Sequence, residues 1–375
     1  MSGQPRVSPK QLHLLLAPKE RFEAGGAGAF ALNVLETSLA SRWQAGITVF
    51  GSPVILPFPG IRFHPVEVSR WSLRGRNVAM AGRYIDMVKG NPPDLVEIYN
   101  RPVMVEPLAR QLTHIPIALH FGNDPRRMDG SRSIRERCSL LGRCTAIVCV
   151  SDFIRRCFLD GIDDPRGERA RVIHTGVEWS SEFPAEKERK ILYVGRVVPE
   201  KGVLEFVQAL VRVLSAHPQW RAEILGAHWF GTAGAASEYE QKVSRAAAAC
   251  DRILLTGFRP HDQVLASLRG ASIAVVPSLW DDPFPRTALE ALAQGCALIC
   301  SRNGGIAEIG VERAVFLDTI SPDAIAGALE RLISNDTERL ALQRRGWESS
   351  PFDIVRTTRQ LDDLRGAIMQ ASPGR

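Results

Sequence analysis

Short apolar segments alternate along the chain with longer segments whose apolar residues recur at helical spacing. Strand-like segments in the first half are LHLLLAP, ITVFG, LVEIYN, IPIALHFG, AIVCVS and RVIHTG, and those in the second half are ILYVGR, RAEILGA, RILLTG, IAVVPS, ALICS and AVFLD. Between them, segments such as ALNVLETSLASRW and GVLEFVQALVRVLSAH repeat their apolar residues with a helical period. This alternation predicts parallel sheets built from βαβ units. Two such series predict an α/β protein with two Rossmann-like, doubly wound domains.

A polar segment, EWSSEFPAEKERK at residues 178–190, separates the two series. We therefore expect an N-terminal domain over residues 1–183 and a C-terminal domain over residues 184–375. A length of 375 residues agrees with two domains of about 100–200 residues each. The stretch FDIVRTTRQLDDLRGAIM near the end predicts one or two amphipathic helices, which we expect to pack back on the N-terminal domain.

The net charge of +6 is unevenly distributed. Residues 1–185 hold 24 Lys and Arg against 18 Asp and Glu, whereas the remainder holds 23 of each kind. Arginines are dense in SRWSLRGR and in RRMDGSRSIRER. They form either a solvated basic face or a surface for an anionic membrane or an anionic acceptor. Nucleic acid is not expected, because the basic residues are not interleaved with aromatic residues.

Several protein classes are disfavoured by composition. No apolar run reaches 18 residues, so no membrane-spanning helix is expected, and LHLLLAP is too short for a signal peptide. Seven cysteines occur without a CxxC pair, and several lie inside apolar runs. We interpret them as buried free thiols in a reducing cytosol, so a cytoplasmic protein is expected. It could also associate with the inner face of the cell membrane.

Two segments of the first half carry candidate chemistry. The glycine-rich segment that begins at Gly25 opens a helix, so its N–H groups could face an anion. It imitates a dinucleotide fingerprint, but its distance from the preceding strand disfavours NAD binding. The segment is either a loop that covers a phosphate or a sugar, or a plain turn at the start of a helix, and the sequence leaves both alternatives open. His120 ends a strand and is either a site residue or a structural histidine, while Asn123 and Asp124 form a turn before Pro125.

In the second half, Arg196 and Lys201 follow the strand ILYVG, and a helix begins near Gly202. Two cations at a strand end beside a helix N-terminus are suited to bind an anion. The alternative is that both are surface cations.

The segment IAVVPSLWDDPFPRTALEALAQG predicts a strand, a loop and a helix that starts at Pro285 and stops before Gly295. Seven residues separate Asp282 from Glu290. A carboxylate in an apolar helical stretch needs hydrogen-bond donors, and two vicinal hydroxyls of a ligand would supply them to Glu290. The alternative is that Glu290 faces solvent.

Taken in order, these segments resemble the retaining glycosyltransferases of family 4, which have the GT-B fold. The resemblance rests on VGRVVPEKG, VVPSLWDDPFPRTALEALAQG and SRNGGIAEI, supported by GGAGAF, ALHFGNDP, VSDFIRRCF and VIHTGVE. It covers nearly the whole chain and is stronger in the second half. The segments HFGNDPRRM and DPFPRTALEALAQG resemble those of the bacterial branch of the family that acts on envelope polysaccharide or lipopolysaccharide.

The resemblance implies two domains that face each other across a cleft, the C-terminal one binding a UDP- or GDP-linked sugar and the N-terminal one presenting a glycan or lipid-linked acceptor. Asp282 and Glu290 match the family's two acids, of which Glu290 would bind the ribose and Asp282 would lie near the donor sugar. Arg196 and Lys201 match the cations that hold the diphosphate. His120 matches the residue near the transferred sugar. The other implied binding residues are Gly25, Gly26, Asn123, Phe284, Pro285, Arg286 and Thr287.

Two departures from the family pattern affect the expected activity. Asp282 stands where glutamate is usual, and Pro285 stands where glycine is common, which removes one backbone N–H. Either change could alter the choice of donor or weaken activity. No metal-ligand cluster is visible in the sequence, so we expect a metal-independent enzyme. A sugar-nucleotide epimerase of the same fold, a non-catalytic sugar-nucleotide-binding subunit and an NAD-dependent oxidoreductase are the alternatives.

Overall fold

A computed structural model describes residues 10–69, 71–72, 75–184, 186–228, 236–349 and 351–371. The chain divides into two compact units. Unit 1 consists of residues 1–174 and 354–375, and unit 2 consists of residues 175–353. The sequence-based boundary lay after residue 183 and assigned the C-terminal helix to the second domain. The structure divides after His174 and groups the C-terminal helix with unit 1, on which that helix was expected to pack back.

Unit 1 contains a seven-stranded sheet in the order β3-β2-β1-β4-β5-β6-β7. Every neighbouring pair is parallel, as βαβ connections require. The strands are β1 Leu12–Leu15, β2 Ile47–Gly51, β3 Arg62–Pro65, β4 Leu95–Tyr99, β5 Ile117–Phe121, β6 Ala146–Cys149 and β7 Ala170–Val172. The helices are α1 Ala29–Leu39, α2 Arg76–Val88, α3 Val105–Gln111, α4 Ile134–Arg143 and α5 Asp152–Leu159, with α13 Ile354–Ala371 returning from the end of the chain.

Unit 2 contains a six-stranded parallel sheet in the order β10-β9-β8-β11-β12-β13. The strands are β8 Glu188–Val194, β9 Arg221–Leu225, β10 Ile253–Gly257, β11 Ala271–Val276, β12 Ala297–Ser301 and β13 Ala314–Leu317. The helices are α6 Val203–Ala216, α7 Glu238–Ala247, α8 His261–Gly270, α9 Arg286–Ala293, α10 Ile306–Gly310, α11 Pro322–Ser334 and α12 Asp336–Glu348. Both sheets therefore reverse their strand order beside the first strand, which is the doubly wound arrangement.

The central strands are buried on both faces, which explains their continuous apolar sequences. All residues of β11 and β12 are buried, and so are all residues of β4 and β5. Strand β3 was not predicted from the sequence. It lies at the edge of its sheet and is largely exposed, so the segment RFHP carries no apolar pattern.

A buried polar cluster holds α13 against unit 1. Arg365 is fully buried and donates two hydrogen bonds of 2.8 Å to the carboxylate of Glu97 on β4. Asp362 accepts from Ser41 Oγ at 2.7 Å and from the backbone N–H of Arg42 at 2.8 Å. The amphipathic C-terminal segment is thus one helix, and its anchoring to unit 1 depends on charge pairing as well as on apolar packing.

All seven cysteines are free. Five of them are buried, in agreement with the interpretation that these thiols belong to apolar core segments.

Candidate functional site

The loop after β8 carries the two candidate cations of unit 2. Arg196 is partly exposed, and its Nη2 lies 3.4 Å from Glu200 Oε1. Lys201 ends a short 3-10 turn, and Gly202 then adopts a left-handed conformation with φ 66° as the residue before α6. A Cβ atom at Gly202 would lie 2.1 Å from the carbonyl oxygen of Pro277, the residue that follows β11. Glycine is therefore needed for the β8 loop to approach the β11 loop.

The loop after β11 carries Asp282 against Lys201. The carboxylate is buried and is paired with the Lys201 amine, and Ser278 Oγ donates to it at 3.3 Å. The amine also lies 5.6 Å from the centre of the Trp280 ring. The indole Nε1 of Trp280 is buried and has no hydrogen-bond partner among the described residues. This position therefore combines a cation, an anion and an unsatisfied donor.

The two loops meet because β8 and β11 are neighbours in the sheet at the point where the strand order reverses. In open α/β sheets this is where ligands bind, outside the carboxyl ends of the strands. The backbone N–H of Leu279 donates to the carbonyl of Glu200 at 2.9 Å, which ties the loops directly. The sequence placed Arg196, Lys201 and Asp282 on strand ends, and the structure brings Lys201 and Asp282 into contact.

A third loop, after β12, closes on the same segment. Gly304 has φ 64°, and a Cβ there would lie 2.4 Å from the carbonyl oxygen of Asp282. The N–H of Gly305 donates to that oxygen at 2.8 Å, and Asn303 Nδ2 donates to the Ser278 carbonyl at 2.8 Å. The tight turn read from Asn303-Gly304-Gly305 thus holds the loop that carries Asp282.

Glu290 lies in the middle of α9 and is buried. Its Oε1 accepts from Arg286 Nε at 3.0 Å and lies 2.8 Å from His261 Nε2, which donates because the carboxylate can only accept. Burial by itself would raise the pKa of Glu290, but the charge of Arg286 and the hydrogen bond from His261 lower it below its ordinary value. The solvent-facing alternative is wrong. The protein itself already supplies two donors to this carboxylate, Arg286 and His261, and the expected ligand hydroxyls would add to them.

The start of α9 differs slightly from the prediction. Pro285 is the residue before the helix, with φ −69° and ψ 120°, and the helix begins at Arg286. Gly295 follows the helix with φ 68°, as predicted for a left-handed termination. Phe284 is buried and packs at 5.3 Å against the ring of Phe352, while Thr287 is half-buried in the first turn.

In unit 1 the glycine-rich segment is a turn that leads into α1. Gly28 is the residue before the helix, and a Cβ at Gly25 would meet no atom within 4 Å. The N–H of Gly26 donates to the Glu23 carbonyl at 3.4 Å. A Cβ atom at Gly122 would lie only 2.2 Å from the ring of Phe30, which is at the start of α1. The glycine-rich segment and the end of β5 therefore pack against each other.

His120 lies near the end of β5 and is buried. Its ring stacks on that of Tyr99, with centroids 4.3 Å apart and planes inclined by 16°. It lines a pocket of unit 1 together with residues of α1, β4, β6, α13 and the segments that follow β6 and β7, namely Phe30, Asn33, Thr37, Tyr99, Val148, Val150, Ile173, His174, Thr357 and Leu361. His120 Nε2 lies 3.6 Å from Glu97 Oε2.

The turn after β5 agrees with the local reading of its sequence. Asp124 accepts from the backbone N–H of Arg126 at 3.0 Å and caps the short 3-10 turn Pro125–Arg127, while Asn123 is exposed.

Several arginines of the basic segments serve the fold. Arg126 pairs with Asp124 and Asp160, and the buried guanidinium of Arg137 donates to backbone carbonyls, among them that of Phe158 at 2.8 Å. Arg70 and Arg74 of the other basic segment lie outside the described residues.

Within the described ranges, no helix is long and apolar enough to cross a membrane. The same ranges contain no group of three or more His, Cys, Asp or Glu side chains that could hold a metal ion.

Sequence reasoning missed several residues around these sites. Trp280 and His261 lie within reach of Lys201 and Glu290 respectively, but tryptophan and histidine in these positions carry no motif of their own. Glu97 and Arg365 are 268 positions apart, so no local pattern could pair them.

Comparison with known proteins agrees with this geometry. Residues 178–348, which lie within unit 2, match the family model described as "Glycosyl transferases group 1". Over 160 residues the chain is 31% identical to the lipopolysaccharide 1,2-N-acetylglucosaminetransferase of Salmonella typhimurium, covering 41% of this chain and 42% of that protein.

Two solved structures share the fold over nearly the whole chain. Sucrose-phosphate synthase from Thermosynechococcus elongatus has a TM-score of 0.76 at 17% identity and covers 97% of this chain and 100% of its own. HepE from Anabaena, solved in complex with UDP and glucose, has a TM-score of 0.74 at 15% identity and covers 96% and 100% respectively. The fold is therefore GT-B. The fold and the match of residues 178–348 together support the assignment of this protein to the GT-B glycosyltransferases.

Proposed function

We propose that this protein transfers a sugar from a nucleoside diphosphate to a hydroxyl of a glycan or glycolipid, with retention of the anomeric configuration. The observation that carries the proposal is the meeting of the Lys201 loop with the Asp282–Glu290 segment at the point where the strand order of unit 2 reverses. The matched glycosyl transferases group 1 domain and the UDP complex of HepE support a nucleotide-sugar donor, UDP-linked in the first instance.

The proposed roles in unit 2 follow from charge. Breaking the anomeric bond leaves negative charge on a diphosphate, and Lys201, Arg196 and the N-terminus of α6 supply positive potential beside the β8 loop. Lys201 is paired with Asp282 before any donor binds, so the diphosphate would compete with that carboxylate for the amine. The buried Trp280 N–H would gain a partner when a polar ligand occupies the loop. These cations would take the part that Mg²⁺ takes in other phosphate sites, so no metal is required in the proposal.

Glu290 would bind the ribose hydroxyls of the donor from its buried position in α9. Arg286 and His261 keep it ionised and fix its Oε1, which suits an acceptor of hydroxyl hydrogen bonds. Phe284, Pro285 and Thr287 belong to the same loop and helix start. We assign them to the donor side as well.

Unit 1 would present the acceptor, with His120 near the transferred sugar and Gly25, Gly26 and Asn123 in the neighbouring loops. The acceptor oxygen would attack from the side of the departing diphosphate, which gives retention without a covalent intermediate. The similarity to the lipopolysaccharide transferase favours an envelope glycan or lipid-linked acceptor.

The same proposal puts the protein at the cytoplasmic face of the cell membrane. The most exposed large apolar side chains among the described residues of unit 1 are Ile55, Leu56 and Trp71, which are 92%, 77% and 90% accessible to solvent. Side chains of this kind insert into the lipid interface. Sedimentation with vesicles that contain anionic phospholipid tests this part, and equal sedimentation of the wild type and an Ile55→Ser/Leu56→Ser variant would contradict it.

The central test measures nucleotide release from UDP- and GDP-sugars, with and without glycan acceptors. Arg196→Met removes one proposed diphosphate cation at a partly exposed position, and we expect release to fall by about 10²–10³-fold. Arg212→Met, on α6 in the same unit, removes an exposed cation outside the two loops and should leave release unchanged. Equal rates for the two variants would refute the role of Arg196. Continued release in excess EDTA is expected.

The assay also separates the alternatives. Conversion of the donor sugar without acceptor would indicate an epimerase, and tight binding without turnover would indicate a non-catalytic subunit. A thermal-shift screen over UDP-, GDP-, ADP- and TDP-sugars identifies the base, because a ligand at 100 times its Kd adds about 2.7 kcal/mol to the free energy of unfolding. If no sugar nucleotide shifts the melting temperature and nucleotide release is absent too, the proposed function is overturned.

A further inference from the structure

A buried acid outside the candidate site residues lies beside His120. Glu97 is fully buried on β4, one strand away from His120 on β5, and Tyr99 of β4 is the direct register partner of His120. The carboxylate accepts two hydrogen bonds from Arg365 of α13 and one of 2.9 Å from the Tyr99 hydroxyl. A buried ion pair adds little to stability compared with apolar packing, so its presence beside a pocket histidine calls for a further reason.

The Nε2 atom of His120 faces this carboxylate. It is buried, it has no hydrogen-bond partner among the described residues, and Glu97 Oε2 lies 3.6 Å from it. An unsatisfied buried polar atom is unfavourable, so a small rotation of the ring toward that oxygen would be favourable. Burial by itself would raise the pKa of Glu97, but the charge and hydrogen bonds of Arg365 keep it well below its usual range.

An ionised carboxylate can only accept hydrogen bonds, which decides the tautomer. If Nε2 carried its lone pair, that lone pair would point at a negative charge in a buried environment. A hydrogen on Nε2 converts the same contact into an attraction. In a neutral imidazole the lone pair then belongs to Nδ1, on the ring that lines the pocket of unit 1.

We propose that Glu97 is a positioning residue which fixes His120 as the Nε2–H tautomer, so that Nδ1 accepts a hydrogen bond from a substrate hydroxyl. The Tyr99 ring stacks on the His120 ring, and Arg365 donates hydrogen bonds to the Glu97 carboxylate. The C-terminal helix therefore contributes to the position of His120 through Arg365. The role of the substrate hydroxyl rests on the proposed function, whereas the tautomer does not.

The tautomer is measured directly by long-range ¹H–¹⁵N correlation spectra of the histidine-labelled full chain at about pH 9, where an ordinary imidazole with a pKa of about 6.5 is neutral. The protein has 8 histidines, and His120→Asn assigns the signal by its disappearance. We expect the pattern of a hydrogen on Nε2. A hydrogen on Nδ1 in the wild type would overturn the inference, and this arm needs no folded variant of the acid.

Glu97→Gln tests the cause. We expect the His120 pattern to shift toward Nδ1–H or toward a mixture of tautomers, while an unchanged pattern would overturn the role of Glu97. Asp363→Ala is the matched control, because it loses the ion pair of α13 with Arg42 and touches neither Arg365 nor the carboxylate of Glu97. Its His120 pattern should stay as in the wild type, and a shift as large as that of Glu97→Gln would overturn the inference by making it a general effect of the helix.

A kinetic arm addresses the function. Partners that orient metal-bound histidines contribute about 10–100-fold, and we expect Glu97→Gln to lower kcat by a factor in the same range with little change in the donor KM. An unchanged kcat in a preparation whose wild type transfers sugar would contradict the substrate role of Nδ1. A wild type without transfer would contradict the proposed function and leave the spectra to decide the tautomer.

Discussion

Removing the Lys201 amine should expose how far the candidate site depends on a buried ion pair. Lys201→Met keeps most of the side-chain stem and deletes the charge, which leaves the buried carboxylate of Asp282 with Ser278 as its side-chain donor among the described residues. Loss of one partner of a buried pair costs about 3–5 kcal/mol. The lysine side chain is 19% exposed, so water can partly replace it. We therefore expect a loss of about 2–3 kcal/mol in the free energy of unfolding of unit 2.

For a domain of this size, about 1 kcal/mol corresponds to a shift of roughly 2–4 °C in Tm, so calorimetry should show the transition of unit 2 falling by about 4–12 °C. The double variant Lys201→Met/Asp282→Asn should recover a large part of the loss, since neither charge is then buried alone. Arg196→Met is the matched control. Its partner Glu200 is partly exposed, and such pairs contribute about 0–1 kcal/mol. A Tm equal to the wild type in Lys201→Met, or a double variant no more stable than the single one, would refute this reasoning.

Two further variants test the geometry of unit 2. Gly202→Ala should destabilise it by more than about 1–2 kcal/mol in urea unfolding, because φ is 66° and the new Cβ would meet a backbone oxygen at 2.1 Å. Gly327→Ala, in α11 with nothing within 4 Å, should instead stabilise by up to about 1 kcal/mol, and an equal loss in both would contradict the strain argument. The lowered pKa of Glu290 means that its contribution is present above the ordinary value of 4.5 and is lost as pH falls through the lower folded-state value. The difference in unfolding free energy between wild type and Glu290→Gln should therefore shrink as pH falls below 4.5, and a constant difference would count against an ionised Glu290.

The element pattern was readable because buried parallel strands and amphipathic helices differ in period. Every strand-like segment that the apolar pattern predicted overlaps an observed strand. Strand β3 escaped because an exposed edge strand needs no apolar residues. The domain boundary was less readable, since a polar linker marks where the chain leaves a core but not which residues still contact it. Trp179 illustrates this, because its Nε1 donates to Trp347 of α12 at 2.8 Å and so ties residues before 183 to unit 2.

The candidate site was partly readable for a topological reason. Residues at the carboxyl ends of parallel strands share one edge of a sheet, so Arg196, Lys201 and Asp282 could be grouped once the strands were recognised. The partners of Glu290 were only half readable. Arg286 lies one helical turn before it, but His261 comes from α8 and is 29 positions away. Sequence distance of that kind carries no signal without knowledge of how α8 packs on α9.

The sequence by itself determined the periods, the helix and strand ends and the presence of two sheet-forming series, because these depend on neighbours within about one turn or one strand. Only the tertiary structure decided that Lys201 is neutralised by Asp282, and that Glu97 meets Arg365 and His120. The physical reason is that charge pairing in a buried environment depends on distances of a few ångströms between elements that are far apart in the chain. Apolar patterning specifies which face of each element is buried, and the packing of those faces then selects which charges become partners.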